Sequence, residues 1–150
     1  MADFLLAVHV LCAVIWVGGG VTMHIFGRLA TRQGPERQLE FTKDSIRIGN
    51  MLYAPLSVIQ LIAGVLLVDE LGYGYGDFWI TIGFIGFLNS FLIGAIYYSR
   101  AGKRYEAVAA GEGAGSPAAQ ALYRRTANVN TYELTVLLLV VIDMAVKPGL

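Results

Sequence analysis

Four stretches of predominantly apolar residues divide this 150-residue chain. They cover roughly residues 4–27, 48–68, 78–98 and 128–147. A bilayer core about 30 Å thick needs about 20 apolar residues in an α-helix, and these runs are continuous rather than alternating, which argues against β-strands. The composition agrees, since 56% of the residues are hydrophobic and 15% are charged. The sequence therefore predicts an all-α membrane protein with four transmembrane helices in a single domain, residues 1–150.

The basic residues predict how the helices are oriented. Ten of the eleven Lys and Arg residues lie in the connectors 28–47 and 99–127, whereas the connector 69–77 has none and contains three acidic residues. The positive-inside rule then predicts that the two basic connectors are cytoplasmic and both termini extracytoplasmic. Short connectors favour an antiparallel, up-down four-helix bundle. We expect the lipid bilayer to be the main partner, and the net charge of zero gives no indication of nucleic acid.

Turn and packing residues refine this prediction. A turn is expected at Gly34–Pro35, and a helix that begins near Ser116–Pro117 is expected after a Gly/Ala/Ser-rich linker. Pro55 is expected to bend the second helix, because proline cannot donate the backbone hydrogen bond. Small residues recur every four positions in the third helix, at Gly86, Ser90 and Gly94, which is typical of close helix packing.

Ionisable side chains inside the apolar segments indicate functional positions, because a charge at membrane depth is costly. The first helix contains His9 and His24, and their separation of 15 residues corresponds to about 22 Å along the helix axis. The two histidines therefore cannot bind one metal ion within a chain. Counting along the helices predicts an outer polar layer with His9 and Asp143, and an inner layer with His24, Asn50 and Glu133.

The two histidines receive different interpretations. Neutral imidazole is the commonest metal ligand among side chains and the usual axial ligand of haem, which makes His9 a metal-ligand hypothesis. The alternative is that its ring only bonds Asp143 or a backbone carbonyl. His24 lies close to a basic connector, where a structural role is expected, either with its ring reaching toward the membrane surface or paired with Glu133. Two histidines at different depths, one cysteine and four methionines do not form a closed copper site.

Three short motifs resemble those of a known superfamily. The first helix reads HVLCAVIWVGG from His9 to Gly19, the second contains NMLYAPLSVIQLIAGVLLV, and the fourth ends in DMAVKP at 143–148. The combination resembles a superfamily of four-helix membrane proteins. It includes the HemJ-like protoporphyrinogen oxidases, the membrane domains of CopD-like copper-resistance proteins, and a family of small bacterial predicted integral membrane proteins. The size and the DMAVKP ending are most similar to the last of these.

The resemblance implies that the bundle holds haem b, or a related tetrapyrrole, for redox or electron-transfer work in the bacterial cytoplasmic (inner) membrane. His9 would be the axial metal ligand, Trp16 and Gly19 would form the wall, and Asp143 would orient the imidazole. Met144, or His9 of a second chain in a homodimer, would be the second ligand. The residues that HemJ-like proteins use to oxidise protoporphyrinogen do not carry over, because residues 21–29 lack their Pro-Arg pair.

Two other functions stay open. The chain is alternatively a non-catalytic accessory subunit of a larger membrane complex, in which its polar residues serve only helix–helix contacts. A third hypothesis is copper handling, by fold-level analogy with CopD-like proteins. The sequence does not decide whether the protein is an enzyme.

Overall fold

The computed structural model describes residues 1–149. The elements are α1 (Ala2–Gln33), α2 (Pro35–Ile48), a first π-helical segment (Gly49–Tyr53), α3 (Ala54–Leu71), α4 (Phe78–Leu92), a second π-helical segment (Ile93–Tyr98), α5 (Ser99–Glu112) and α6 (Pro117–Val146). The helix is continuous from α2 through α3 and from α4 through α5. The chain therefore forms four helices that are each long and apolar enough to cross a membrane, and residues 1–149 contain no strand. The predicted fold class is confirmed.

The helices run farther than their apolar segments. Most of the connector 28–47 is helical and interrupted only at Gly34, and the connector 99–127 is interrupted only between Glu112 and Pro117. Residues with high helix propensity, such as Glu, Arg, Gln and Ala, fill these extensions. We call the end of the bundle with these two turns the basic end. The opposite end, with the turn Gly72–Asp77 and the start of α1, is the terminal end.

The turns follow from their residues. Gly34 has a φ of 107° and Gly72 a φ of 70°, both in the region that favours glycine. Ser116 caps α6 by accepting a hydrogen bond from the Ala119 backbone N–H to its Oγ at 3.2 Å. The predicted turn at Gly34–Pro35 and the predicted helix start at Ser116–Pro117 are therefore both confirmed.

The half of the bundle nearer the terminal end, which we call the terminal half, has a tightly packed core. Val68, Trp79 and Ile80 are buried there, with Tyr73, Phe84 and Met144 against them. A side chain at Gly83 would collide with Met144, and one at Gly86 would collide with Val140. Of the small residues predicted for close packing, Gly86 thus lies where α4 and α6 come together, whereas a Cβ atom at Gly94 would meet nothing within 4 Å.

The basic end has a separate, more polar core. The Gln120 amide donates to Gln38 Oε1 at 2.7 Å, and the Tyr123 hydroxyl donates to the Gly27 carbonyl at 2.9 Å. Alanines at positions 30, 109, 114 and 119 are buried around them. Large apolar side chains elsewhere point outward, as expected of a surface that contacts lipid; examples are Phe4, Val14, Ile85 and Leu139.

Candidate functional site

A cavity of about 420 Å³ lies between the long helices, in the half of the bundle nearer the basic end, which we call the basic half. Its lining combines aromatic residues, small residues and many polar side chains. Trp16 and Gly20 contribute from α1, and Phe91 contributes from α4. The volume falls within the range of about 300–1,000 Å³ that is common for small-molecule and cofactor sites.

Both π-helical segments border this cavity. The first contributes Gly49, Asn50 and Tyr53, and the second contributes Gly94 and Tyr98. A Cβ atom at Gly49 or Gly94 would meet no atom within 4 Å, so these positions face open space. Single π turns inside α-helices are frequent at functional sites.

Proline chemistry accounts for the first π segment. Pro55 has no N–H, so it cannot donate the α-helical hydrogen bond to the carbonyl four residues earlier. The Ala54 N–H instead bonds the Gly49 carbonyl, five residues back, which is the π pattern. A wider helical turn therefore lies just before Pro55, and the bend expected there stays a prediction.

Four polar side chains form a connected network along one wall of the cavity. The Tyr98 hydroxyl donates to Glu133 Oε2 at 2.6 Å, and Asn130 Nδ2 donates to the Tyr98 hydroxyl at 3.5 Å. Asn130 Oδ1 lies 3.0 Å from His24 Nδ1. All four residues line the cavity, and Glu133 is 7% exposed.

The donors and acceptors set the direction of this network. The Tyr98 hydroxyl has one hydrogen, which it donates to Glu133 Oε2, so it accepts from Asn130 Nδ2. The Asn130 amide nitrogen then faces Tyr98, and its oxygen faces His24. An amide oxygen only accepts, so His24 Nδ1 donates in this hydrogen bond, and Nε2 is the unprotonated nitrogen of the corresponding neutral tautomer. A fixed tautomer with an unprotonated nitrogen is the form in which histidine binds a metal ion or accepts a hydrogen bond.

His9 lies outside the cavity, in the contact between α1 and α3. Its Nε2 is 3.1 Å from the Gln60 amide nitrogen, and its Nδ1 is buried without a hydrogen-bond partner. Gly64 makes room for the ring, since a Cβ there would lie 3.1 Å from the His9 Cε1 atom. Its assignment as a metal or haem ligand stays a prediction.

The other predicted site residues are divided between two places. Trp16 lines the cavity, and Gly19 abuts the Tyr53 hydroxyl beside it. Asp143 and Met144 are not in its lining. Asp143 Oδ2 is buried without a hydrogen-bond partner, and within residues 1–149 no hydrogen bond joins it to His9.

The structure also brings together the residues predicted for the inner layer. His24, Asn50 and Glu133 all line one cavity. Of the two structural roles expected for His24, the direct pair with Glu133 is wrong, because Asn130 and Tyr98 lie between the two side chains. The described part of the chain contains no group of three or more His, Cys, Asp and Glu residues placed to hold a metal ion.

Sequence reasoning did not single out Tyr98 or Asn130. A signal was available, because Asn130 and Glu133 are three residues apart and therefore share a helix face. Two strongly polar side chains on one face of a membrane helix indicate a common polar environment.

Comparison with known proteins gives a family and no closer relative. No curated protein and no solved structure matches the chain. The family described as predicted integral membrane protein (DUF2269) matches residues 3–148. Because this match extends over nearly the whole sequence, the chain belongs to the DUF2269 family of predicted integral membrane proteins.

Proposed function

We propose that this protein binds a tetrapyrrole, with haem b as the first member to test, in the cavity of the basic half, and that His24 is the residue that contacts the metal. The observation that carries the proposal is an imidazole in the lining of a cofactor-sized cavity, with its Nδ1 hydrogen-bonded to Asn130 and its Nε2 without a hydrogen-bond partner among residues 1–149. The proposal departs from the motif resemblance, which implies His9 as the ligand. His9 is instead engaged with Gln60 outside the cavity.

The rest of the lining fits a flat molecule with charged edges. Trp16, Tyr53 and Phe91 offer aromatic faces, and the glycines of the π segments leave space beside them. Arg28 also lines the cavity and has no ion-pair partner among residues 1–149, so it can neutralise a carboxylate of the ligand. A bound haem would supply one-electron redox chemistry.

The chain itself contributes orientation. Asn130 holds the His24 ring by accepting from its Nδ1–H, and Tyr98 and Glu133 hold the Asn130 amide in the orientation that this requires. Such partners of a ligating histidine raise its basicity and typically contribute about 10- to 100-fold in metal affinity. Tyr98, Asn130 and Glu133 are therefore positioning residues in this proposal.

Haemin titration of the detergent-purified protein, followed by visible absorption, tests the assignment. We expect a shifted Soret band with the wild type and an affinity at least about 10-fold weaker with His24→Ala. His9→Ala is the matched control, because it removes the other imidazole of the same helix, and it should bind as the wild type does. Circular dichroism of all three proteins checks that the variants are folded.

The other outcomes decide against the proposal in different ways. Loss of binding in His9→Ala with retention in His24→Ala would return the site to His9. A wild-type protein that shows no shifted Soret band would overturn tetrapyrrole binding and favour the accessory-subunit alternative.

We further propose that the protein lies in the bacterial cytoplasmic membrane with the basic end inside. The support is the placement of ten of the eleven Lys and Arg residues in the helical extensions at that end. Single cysteines in a Cys12→Ser background test this with a membrane-impermeant maleimide on whole cells with an opened outer membrane. Tyr75→Cys should be labelled in intact cells, and Lys43→Cys only after lysis. The reverse pattern would overturn the orientation.

A further inference from the structure

A second concavity lies on the outer surface of the bundle, between the α4–α5 helix and α6. It is a groove of about 480 Å³, and none of the four network residues lines it. Leu92, Ile93 and Ile96 form its wall on the membrane side. Tyr97 and three arginines line the part nearer the basic end; the arginines are Arg100, Arg104 and Arg125.

The groove changes from apolar to cationic along its length. Ile96, Arg100 and Arg104 follow one another at four-residue spacing on one helix face, so about 12 Å of helix separates the apolar wall from the last arginine. Arg125 joins them from α6. Tyrosine is enriched where the bilayer core meets the headgroups, which is the level that Tyr97 marks in the groove.

None of the three guanidinium groups forms an ion pair within residues 1–149. The ion pairs among residues 1–149 are Met1 with Glu70 and Arg37 with Glu40, and neither involves a groove arginine. Like charges held in one groove repel, and an anion between them relieves that repulsion. Guanidinium groups match phosphate oxygens particularly well, because their planar fork donates two parallel hydrogen bonds.

A phospholipid is the anion that fits both parts of the groove. Free phosphate would use the arginines and leave the apolar wall of Leu92, Ile93 and Ile96 unexplained. Basic pockets beside transmembrane helices are recognised sites for anionic headgroups. We propose that this groove binds one anionic phospholipid, with its phosphate at Arg100, Arg104 and Arg125 and an acyl chain along the apolar wall.

Electron paramagnetic resonance of the protein reconstituted in phosphatidylcholine bilayers tests this proposal. The probes are spin-labelled phosphatidylglycerol and spin-labelled phosphatidylcholine. The wild type should prefer phosphatidylglycerol about 3- to 5-fold, and the triple variant Arg100→Gln/Arg104→Gln/Arg125→Gln should lose most of that preference. The matched control is Arg32→Gln/Lys43→Gln/Arg124→Gln, which removes the same charge from the same end outside the groove and should retain most of it.

Three results would overturn the proposal. An equal loss in both triple variants would assign the preference to general surface charge. An unchanged preference in the groove variant would exclude the groove as the lipid site. Abolition of the wild-type preference by millimolar inorganic phosphate at constant ionic strength would make the arginines a free-phosphate site. If the groove triple variant does not reconstitute, Arg104→Gln alone should lower the preference, with Arg124→Gln as its control.

Discussion

The glycines of one helix, α4 with the π-helical segment that follows it, pack in opposite ways in the two halves of the bundle. In the terminal half, the space left by Gly83 is filled by Met144, and that left by Gly86 is filled by Val140. In the basic half, Gly94 continues the same four-residue stripe, yet a side chain there would meet nothing within 4 Å. A stripe of small residues therefore produces either a tight helix contact or a cavity. The outcome depends on what the facing helix supplies, which the stripe itself does not reveal.

Polar side chains show the same contrast between the halves. In the terminal half, His9 and Gln60 form a single isolated contact. In the basic half, His24 and Glu133 are the two ends of a four-residue network beside open space. A polar pair without adjoining space can stabilise helix packing, whereas a network along a cavity can also orient groups toward a ligand.

Removing the Tyr98 hydroxyl should give the largest loss of stability. Tyr98→Phe leaves the buried Glu133 carboxyl without its hydrogen bond, and an unsatisfied buried polar group costs about 1–3 kcal/mol, or more where it is charged. We expect the free energy of unfolding to fall by about that amount in a sodium dodecyl sulfate titration of mixed micelles. Tyr105→Phe is the control, because the Tyr105 hydroxyl is buried without a partner and its removal should cost nothing. Equal losses in both variants would contradict a stabilising network.

The difference in packing around Gly86 and Gly94 can be tested directly with an alanine substitution at each of these two positions on one helix face. Gly86→Ala should cost about 1–3 kcal/mol, because the new methyl group meets Val140, whose branched side chain has little freedom to move. Gly94→Ala should cost nothing, or stabilise by about 0.5–1 kcal/mol, since its surroundings are open. The same unfolding titration measures both. A greater loss at Gly94 than at Gly86 would show that the basic half is as tightly packed as the terminal half.

The isolated contact in the terminal half should give the smallest effect. Gln60→Leu removes the side-chain partner of His9, and such interhelical hydrogen bonds in membranes average about 0.6 kcal/mol. Ser90→Ala serves as the comparison, because the Ser90 hydroxyl is buried without a partner and its loss should not destabilise the protein. A loss above about 2 kcal/mol for Gln60→Leu would indicate that His9 belongs to a larger polar site.

The positions and ends of the helices could be predicted from the sequence, whereas the contacts within the candidate site could not. Apolar run length fixes a transmembrane helix, and Gly34 and Ser116 mark helix ends by local chemistry, so these features were predicted correctly. The depth of a residue in the membrane could also be predicted, because each residue adds a constant rise along a helix. His24 and Glu133 were predicted to lie in one layer, and both line one cavity. The direction in which each side chain points depends on how helices rotate against one another. That rotation decides that His9 meets Gln60 rather than Asp143.

The π-helical segments affect how far the helix face in the basic half is rotated about the helix axis relative to the face in the terminal half. A π turn closes its hydrogen bond one residue later than an α turn, and one residue corresponds to about 100° of helical rotation. Deleting one residue within Gly49–Tyr53 would thus restore an ordinary α turn while rotating α2 against α3. The face that α2 presents at the basic end would then no longer align with the face that α3 presents in the terminal half. The continuous helices Pro35–Leu71 and Phe78–Glu112 each contain one π-helical segment. In each helix this segment sets a fixed angular offset between the tightly packed terminal half and the basic half with its cavity.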